Sequence, residues 1–470
     1  MPNEPKPYDF VIIGGGPAGV TAATELGDQH KSVALIDSHH DLGGAGVNTG
    51  TIPSKTLRET ALALSGLQSR NLYGVDLSVR REVTVNDFLG HEQHVREAFN
   101  RSISNRLMAH HADIYVGNAS FVDPHVLRIS PVPGGPQEEI LLRGENFLLA
   151  TGSSPVRPAL FPFDQGDVYD SDTVLELHRI PKTMAVIGAG VIGSEYACTF
   201  AALGAQVHII DGRDALLPFL DPEVSQALMR AMEKNGVVFH WNQKVQKCMV
   251  EETNVVTLTL TDGSLLTVES VLVAAGRQSN STSLNLAAAG VTTGERGVVP
   301  VDGSYRTNVP HISAAGDIIG YPALASTSMA QGRLAVRHAL GLEDPALAPV
   351  LPTGIYTIPE ISVAGETEES CRKKNIACVV GRARYENNAR GRIIGDTDGF
   401  LKLVFRKDDM QLLGVHVIGE QSTEIVHIGL MGILGGVKAE LFVDICFNIP
   451  TLSVLYKTAA LDAIRNAAAA

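Results

Sequence analysis

Two stretches of the chain carry glycines at a spacing that lets a backbone approach phosphate. In Phe10-Val11-Ile12-Ile13-Gly14-Gly15-Gly16-Pro17-Ala18-Gly19 and in Met184-Ala185-Val186-Ile187-Gly188-Ala189-Gly190-Val191-Ile192-Gly193, a short apolar run enters G-x-G-x-x-G. A helical pattern follows, then a second apolar run ending on an acid, Val33 to Asp37 and Val207 to Asp211. In both units the acid lies 23 residues after the first glycine. Gly14 and Gly188 suit the tight strand-to-helix turn, Gly16 and Gly190 the close approach of a pyrophosphate, and Gly19 and Gly193 the packing of helix on strand. The helix N-terminus offers unpaired N–H groups and a positive partial charge to the phosphates. Asp37 and Asp211 would accept hydrogen bonds from ribose hydroxyls. One such loop is weak evidence, but two complete strand–helix–acid units point to two dinucleotides.

The elements that position these loops are legible in outline. Leu149-Ala150-Thr151-Gly152-Ser153 and Val273-Ala274-Ala275-Gly276-Arg277 end apolar strands on small residues, as crossovers between domains do. Ile312-Ser313-Ala314-Ala315 reads as a further strand, running into Gly316-Asp317. Beyond Pro349 the texture changes. Phe400 to Phe405 and Leu412 to Ile418 read as strands, and Gln421 to Leu434 and Thr451 to Asn466 as helices. The apolar run Ile425 to Val437 is expected to be a buried helix. Ala467 to Ala470 carries no readable signal.

Composition narrows the class. A chain of 470 residues is expected to form about three domains, and 44% hydrophobic with 19% charged residues is ordinary for a soluble globular protein. A net charge of −13 argues against nucleic acid or an anionic membrane as partner. Met1 to Tyr8 is polar and proline-rich and gives no secretory signal, and no run is long enough to span a bilayer, so a cytoplasmic location is expected. Cys198, Cys248, Cys371, Cys378 and Cys446 are odd in number and widely spaced, and are expected to be buried, reduced thiols. The pairs His39-His40 and His110-His111 lack spacing to a third donor, and His416 and His427 fall on apolar stretches. No metal site is expected.

One further segment, Gly43-Gly44-Ala45-Gly46-Val47-Asn48-Thr49-Gly50-Thr51-Ile52-Pro53-Ser54-Lys55, resembles the active-site segment of the flavin disulfide reductases, the family of glutathione reductase and lipoamide dehydrogenase. The resemblance runs from Asp9 to about Asn466. It includes both glycine loops, Gly316-Asp317 and Tyr356-Thr357-Ile358-Pro359-Glu360. It implies an α/β fold with two nested Rossmann-like dinucleotide-binding domains and a C-terminal α+β dimerisation domain. The expected boundaries are an FAD-binding domain over 1–153, an NAD(P)-binding domain over 154–277, a return to the FAD domain over 278–348, and a dimerisation domain over 349–470. A homodimer or higher homo-oligomer is implied.

In that family two cysteines form a redox disulfide at the positions held here by Gly46 and Thr51. A C-terminal His and Glu serve it as acid and base at the positions held by Ile449 and Val454. All four groups are absent together, so thiol chemistry is not expected. Within the family, the Gly50-Thr51-Ile52-Pro53-Ser54-Lys55 segment, the stretch Gly354 to Ser362, and Phe447-Asn448-Ile449-Pro450-Thr451 look most like the soluble, FAD-dependent pyridine nucleotide transhydrogenases.

That resemblance implies ping-pong hydride transfer between NADPH and NAD+ through FAD, with both nicotinamide dinucleotides using one site in turn. Lys55 is expected beside the flavin and Glu195 paired with it, with Thr51 against the ring either as a hydrogen-bond donor or as filler. Asp37 would hold the adenosine ribose of FAD and Asp317 its ribityl chain, with Gly152 and Gly276 at the crossovers. Asp211 suits the 2′-hydroxyl of NAD; Arg213 would either offset its repulsion of the 2′-phosphate of NADP or stand solvated beside a strict NAD site. Val191 stands where some relatives carry a gating tyrosine, and would leave access more open. Two other functions are compatible with the same residues. One is an NAD(P)H-dependent quinone reductase or diaphorase, the other a non-catalytic redox-sensing flavoprotein.

Overall fold

The computed structural model describes residues 4–66, 83–133, 135, 138–251, 255–342 and 346–469. Residues 1–3 of the proline-rich start and Ala470 lie outside the described residues. The chain opens with strand β1 (Lys6–Ile13), helix α1 (Pro17–Asp28) and strand β2 (Val33–Asp37). Pro17 sits at the first position of α1, where a missing N–H costs nothing. Helices α2 (Gly44–Asn48), α3 (Thr51–Ser65) and α4 (Val85–Ala109) follow, then strands β3 (Asp113–Val116), β4 (Asn118–Asp123), β5 (Val126–Ser130) and β6 (Ile140–Leu149). Phe10 to Ile13 are all buried, as expected of a parallel strand covered on both faces.

A short strand β7 (Ser153–Pro155) leads to β8 (Val168–Asp170), β9 (Thr183–Ile187), α5 (Val191–Ala202), β10 (Gln206–Asp211), α6 (Pro222–Lys234) and β11 (Val238–Trp241). Strands β12 (Val245–Val250), β13 (Val256–Leu260) and β14 (Leu265–Val268) make a small antiparallel sheet. Strands β15 (Ser270–Val273) and β16 (Arg277–Ser279) follow. Strand β17 (Ile312–Ala314) and helix α7 (Ala325–Ala339) complete this part of the chain.

Two sheets hold the glycine loops. The first is seven-stranded, ordered β3-β2-β1-β6-β5-β4, with β17 parallel to the end of β6. The second is five-stranded and parallel, ordered β11-β10-β9-β15-β8. The chain leaves the first sheet after β6, builds the second, and comes back through β17. The antiparallel ribbon β7/β16 pairs the outgoing and returning crossovers.

The last part holds β18 (Thr353–Ile355), β19 (Ile361–Gly365), α8 (Glu368–Lys373), β20 (Cys378–Arg384), α9 (Ala389–Ile394), β21 (Phe400–Arg406) and β22 (Leu412–Ile418), then α10 (Ser422–Leu434), α11 (Ala439–Asp444) and α12 (Val454–Ala469). Its sheet is antiparallel in the order β18-β19-β22-β21-β20. The α12 helix begins at Val454 rather than Thr451 and takes in Ala467 to Ala469, whose sequence carries no readable signal.

The expectation that Ile425 to Val437 forms a buried helix is only half met. Its inner face packs on the sheet, and Tyr456 on α12 donates to Ile425 O at 2.7 Å. Its outer face is open, with Met431 68% exposed and Leu434 43% exposed. Apolarity alone does not distinguish a face covered by its own chain from one left for another. The cysteines are likewise not all buried: Cys198 and Cys371 are, Cys248 and Cys378 are partly so, and Cys446 is exposed. Among the described residues no helix is long and apolar enough to cross a membrane.

Candidate active site

The two glycine loops fold alike. Gly14 and Gly188 hold φ of +109° and +108°, a region that only glycine enters freely. A Cβ at Gly14 would stand 2.2 Å from Ala150 O, and one at Gly188 would stand 2.6 Å from Ala274 O. Gly16 and Gly190 cap α1 and α5 with extended backbone. Nothing lies within 4 Å of a Cβ at Gly190, and only Gly44 Cα, at 3.9 Å, for Gly16. Gly19 and Gly193 bring helix onto strand, since a Cβ there would fall 1.9 and 2.0 Å from the carbonyl oxygens of Gly14 and Gly188. The division of labour among the three glycines is that of a pyrophosphate loop.

The acids differ where the loops agree. Asp37 accepts one N–H on each oxygen, from Gly15 at 2.7 Å and from His39 at 2.8 Å. That leaves Oδ2 a free acceptor position, while the His39 ring Nδ1 stands 3.5 Å from Oδ1. Asp211 accepts the matching pair, from Ala189 at 2.7 Å and from the Arg213 backbone at 2.8 Å. The Arg213 guanidinium then folds back onto both oxygens, Nε at 2.9 Å and Nη2 at 2.7 Å. Burial pushes the Asp211 carboxyl up, but the Arg213 side chain and the two N–H groups outweigh it and hold it at about 2.

A groove of about 1440 Å³ runs along the first loop and collects most of the expected residues. Gly14, Gly16, Asp37, Thr51, Lys55, Gly152, Val191, Glu195 and Asp317 all line it. Such a volume exceeds that of ordinary small-ligand pockets and suits a long ligand such as a dinucleotide. The Asp317 carboxylate accepts Ser153 Oγ at 2.8 Å. Arg277 holds Ser153 in turn, through Oγ at 2.8 Å and the carbonyl at 2.6 Å. With open glycine backbone, a helix N-terminus and an acid with a spare acceptor position on Oδ2, the residues present fit FAD.

At the centre of the groove, α3 and α5 bring together two residues 140 positions apart. Lys55 Nζ donates to Glu195 Oε2 at 2.7 Å. Glu195 Oε1 accepts the Tyr356 N–H at 2.8 Å, and the Tyr356 ring lies 4.9 Å from Lys55 Nζ. The carboxylate is therefore bonded on both oxygens while the ammonium stays partly open to the groove. Nothing in the Tyr356-Thr357-Ile358-Pro359-Glu360 motif by itself assigns the tyrosine to the site. Its contribution depends on the loop after β18 reaching α5, which no local pattern announces.

Thr51 opens α3 and is exposed to the groove. Gly46 is more than a missing cysteine. A Cβ at 46 would lie 2.7 Å from Cγ of Pro17, a rigid ring at the start of α1. A smaller cavity of about 250 Å³ lies at the second loop, lined by Gly188, Asp211, Gly212, Lys244 and Ala275 among others. Gly276 lines neither cavity. Its φ of +101° with no neighbour in the way makes it a turn residue at the crossover. Among the described residues no three of His, Cys, Asp or Glu gather as a metal site. His416 is buried, with Nε2 bonded to Glu366 O at 2.9 Å.

Residues 8–332 match the pyridine nucleotide-disulphide oxidoreductase family, and residues 351–460 match that family's dimerisation domain. The chain is 44% identical over 457 residues to a soluble pyridine nucleotide transhydrogenase of Mycobacterium bovis, covering 97% of each. It is 39% identical to a protein of the same description from Colwellia psychrerythraea, covering 97% of this chain and 98% of that one. Among solved structures it resembles the HOCl-induced flavoprotein disulfide reductase RclA from Escherichia coli, with a TM-score of 0.87 and 26% identity, covering 97% of this chain and 99% of that one. Paired glycine loops on nested sheets, followed by an antiparallel C-terminal sheet, thus coincide with sequence identity along nearly the whole length, and the chain belongs to the pyridine nucleotide-disulphide oxidoreductase family.

Proposed function

We propose that this protein exchanges hydride between NADPH and NAD+, with FAD held along the first glycine loop and the two nicotinamide dinucleotides taking turns at the second. When bound, FAD supplies the two-electron relay between one nicotinamide and the next. Lys55 presents a fixed positive charge to the groove, and Glu195, tied to Tyr356 N–H, positions it. Asp37 and Asp317 hold the ribose and ribityl hydroxyls, and Gly14, Gly16 and Gly19 the pyrophosphate of FAD. Gly188, Gly190 and Gly193 do the same for the nicotinamide dinucleotide, with Asp211 and Arg213 at its adenosine ribose.

The observation that carries this reading is the pairing of an intact Lys55–Glu195 centre with a disulfide position that holds Gly46 and Thr51 and no sulfur. Electrons that enter the groove have no thiol pair there to receive them. Because both dinucleotides use the one site at the second loop, one nicotinamide product leaves before the next binds, which gives ping-pong kinetics. The nearly equal potentials of the two nicotinamide couples leave the direction to the cellular ratios. The apolar outer face of α10, with Met431 and Leu434, supports a homodimer formed through the C-terminal sheet's helices.

Anaerobic mixing of the FAD-loaded protein with NADPH, followed by thio-NAD+, tests the reading. Stoichiometric appearance of the reduced thio analogue is expected. Electron delivery to a quinone but not to thio-NAD+ would favour a quinone reductase instead. Failure of either nucleotide to bleach the flavin absorbance would favour a non-catalytic role.

A further inference from the structure

The proposed exchange needs one pocket that accepts both a 2′-hydroxyl and a 2′-phosphate, and the role assigned to Lys244 rests on that exchange. Asp211 alone suits only the hydroxyl, and its acceptor positions are already filled by Ala189 and by the backbone and side chain of Arg213. A second cation stands at the same loop. The segment after β11 is bonded to the Asp211-Gly212-Arg213 turn through Asn242 N to Arg213 O at 3.0 Å and Gln243 N to Asp211 O at 3.1 Å. Thr261 fixes this segment from its other side, donating to Gln243 Oε1 at 2.6 Å and accepting from Lys244 N at 3.2 Å. The Lys244 stem consequently lies across Gly212. A Cβ at 212 would stand 2.9 Å from Lys244 Cε and 3.4 Å from its Cγ, so the absence of a side chain there is what lets the lysine come so close. Lys244 lines the 250 Å³ cavity together with Asp211, and among the described residues no carboxylate pairs with its ammonium.

We infer that Lys244 is the second cation of a 2′-phosphate site and that Arg213 is a two-position side chain, folded onto Asp211 or turned with Lys244 onto the phosphate. A hydroxyl at the 2′ position draws on Asp211 as the arginine yields one acceptor position. A phosphate takes the guanidinium and the ammonium as charge-assisted partners, and the carboxylate keeps its two backbone N–H bonds. The pocket changes preference by the position of one side chain and requires no movement of the backbone.

The test is calorimetric binding of adenosine 2′,5′-bisphosphate and of 5′-AMP to the FAD-loaded protein at low and high salt. Lys244→Met, which keeps the stem and removes the charge, is expected to weaken the bisphosphate about tenfold and to leave 5′-AMP within about twofold. Lys244→Arg should restore the bisphosphate affinity, and high salt should narrow the wild-type preference. Retained 5′-AMP binding shows that each variant is folded. Equal weakening of both ligands by Lys244→Met, or no weakening of the bisphosphate, would overturn the assignment. The exchange reaction fails on different grounds, namely if NADPH binds and no hydride reaches thio-NAD+.

Discussion

Removing the Lys55 charge probes the centre of the groove most directly. The Nζ to Oε2 separation of 2.7 Å gives a gross Coulomb attraction of about 6 kcal/mol at an effective dielectric near 20. The lysine side chain is 26% exposed and the glutamate 8%, so water competes at one end of the pair only. Losing one partner of a buried pair costs roughly 3 to 5 kcal/mol. Glu195 keeps its bond from Tyr356 N–H, which puts the expected cost in Lys55→Met at about 3 kcal/mol, the lower end of that range. If the ammonium stabilises charge developing in the groove, the rate of flavin reduction by NADPH should fall about a hundredfold. Glu195→Gln keeps the ammonium and an acceptor for Tyr356 N–H but loosens the position of Lys55, and should cost about tenfold. The double variant should be no slower than Lys55→Met, because Glu195 acts through the lysine. Anaerobic stopped-flow absorbance gives these rates, and the flavin content of each variant separates rate from cofactor loss. A Lys55→Met rate within twofold of wild type, or losses that multiply in the double variant, would refute the reasoning.

Two further outcomes are expected. Gly46→Cys with Thr51→Cys should not restore a disulfide reductase, because the Pro17 ring occupies the space of a Cβ at 46; thiol titration should find both sulfurs free. Glu223 on α6 meets Arg382 of β20 and Lys402 of β21, and Arg382 first, then Lys402, hold its carboxyl at about 2 against an ordinary 4.5. The folded protein binds that proton less readily than the unfolded one, so the contact contributes fully above about pH 4.5 and is lost as pH falls toward 2. Melting temperatures across that window should fall less steeply in Glu223→Gln than in wild type.

Much of this protein was legible as sequence because the patterns involved are local. A G-x-G-x-x-G turn is specified by the residues that must fit it, and the φ of +109° at Gly14 and the close approach at Gly19 are properties of a few consecutive positions. The spacing to Asp37 and Asp211 follows from one helix and one strand. Strands β21 and β22 appeared where alternation and apolar runs placed them, and the absence of four thiol-relay groups could be read by matching positions.

Other features were decided only by the tertiary structure. The Lys55–Glu195 pair was expected from the family resemblance, but Tyr356 joins it from 161 positions along the chain only because the loop after β18 is packed against α5. The fold of Arg213 onto Asp211 is a choice of rotamer among solvated alternatives, to which residue types are indifferent. Lys244 reaches the same turn because β10 and β11 are neighbours and Gly212 leaves it room. The outer face of α10 reads as core by hydropathy and stands open in a single chain. Local sequence sets the backbone conformation, while contact between distant side chains is set by how the sheets and helices pack, and it is there that the chemistry of this groove is assembled.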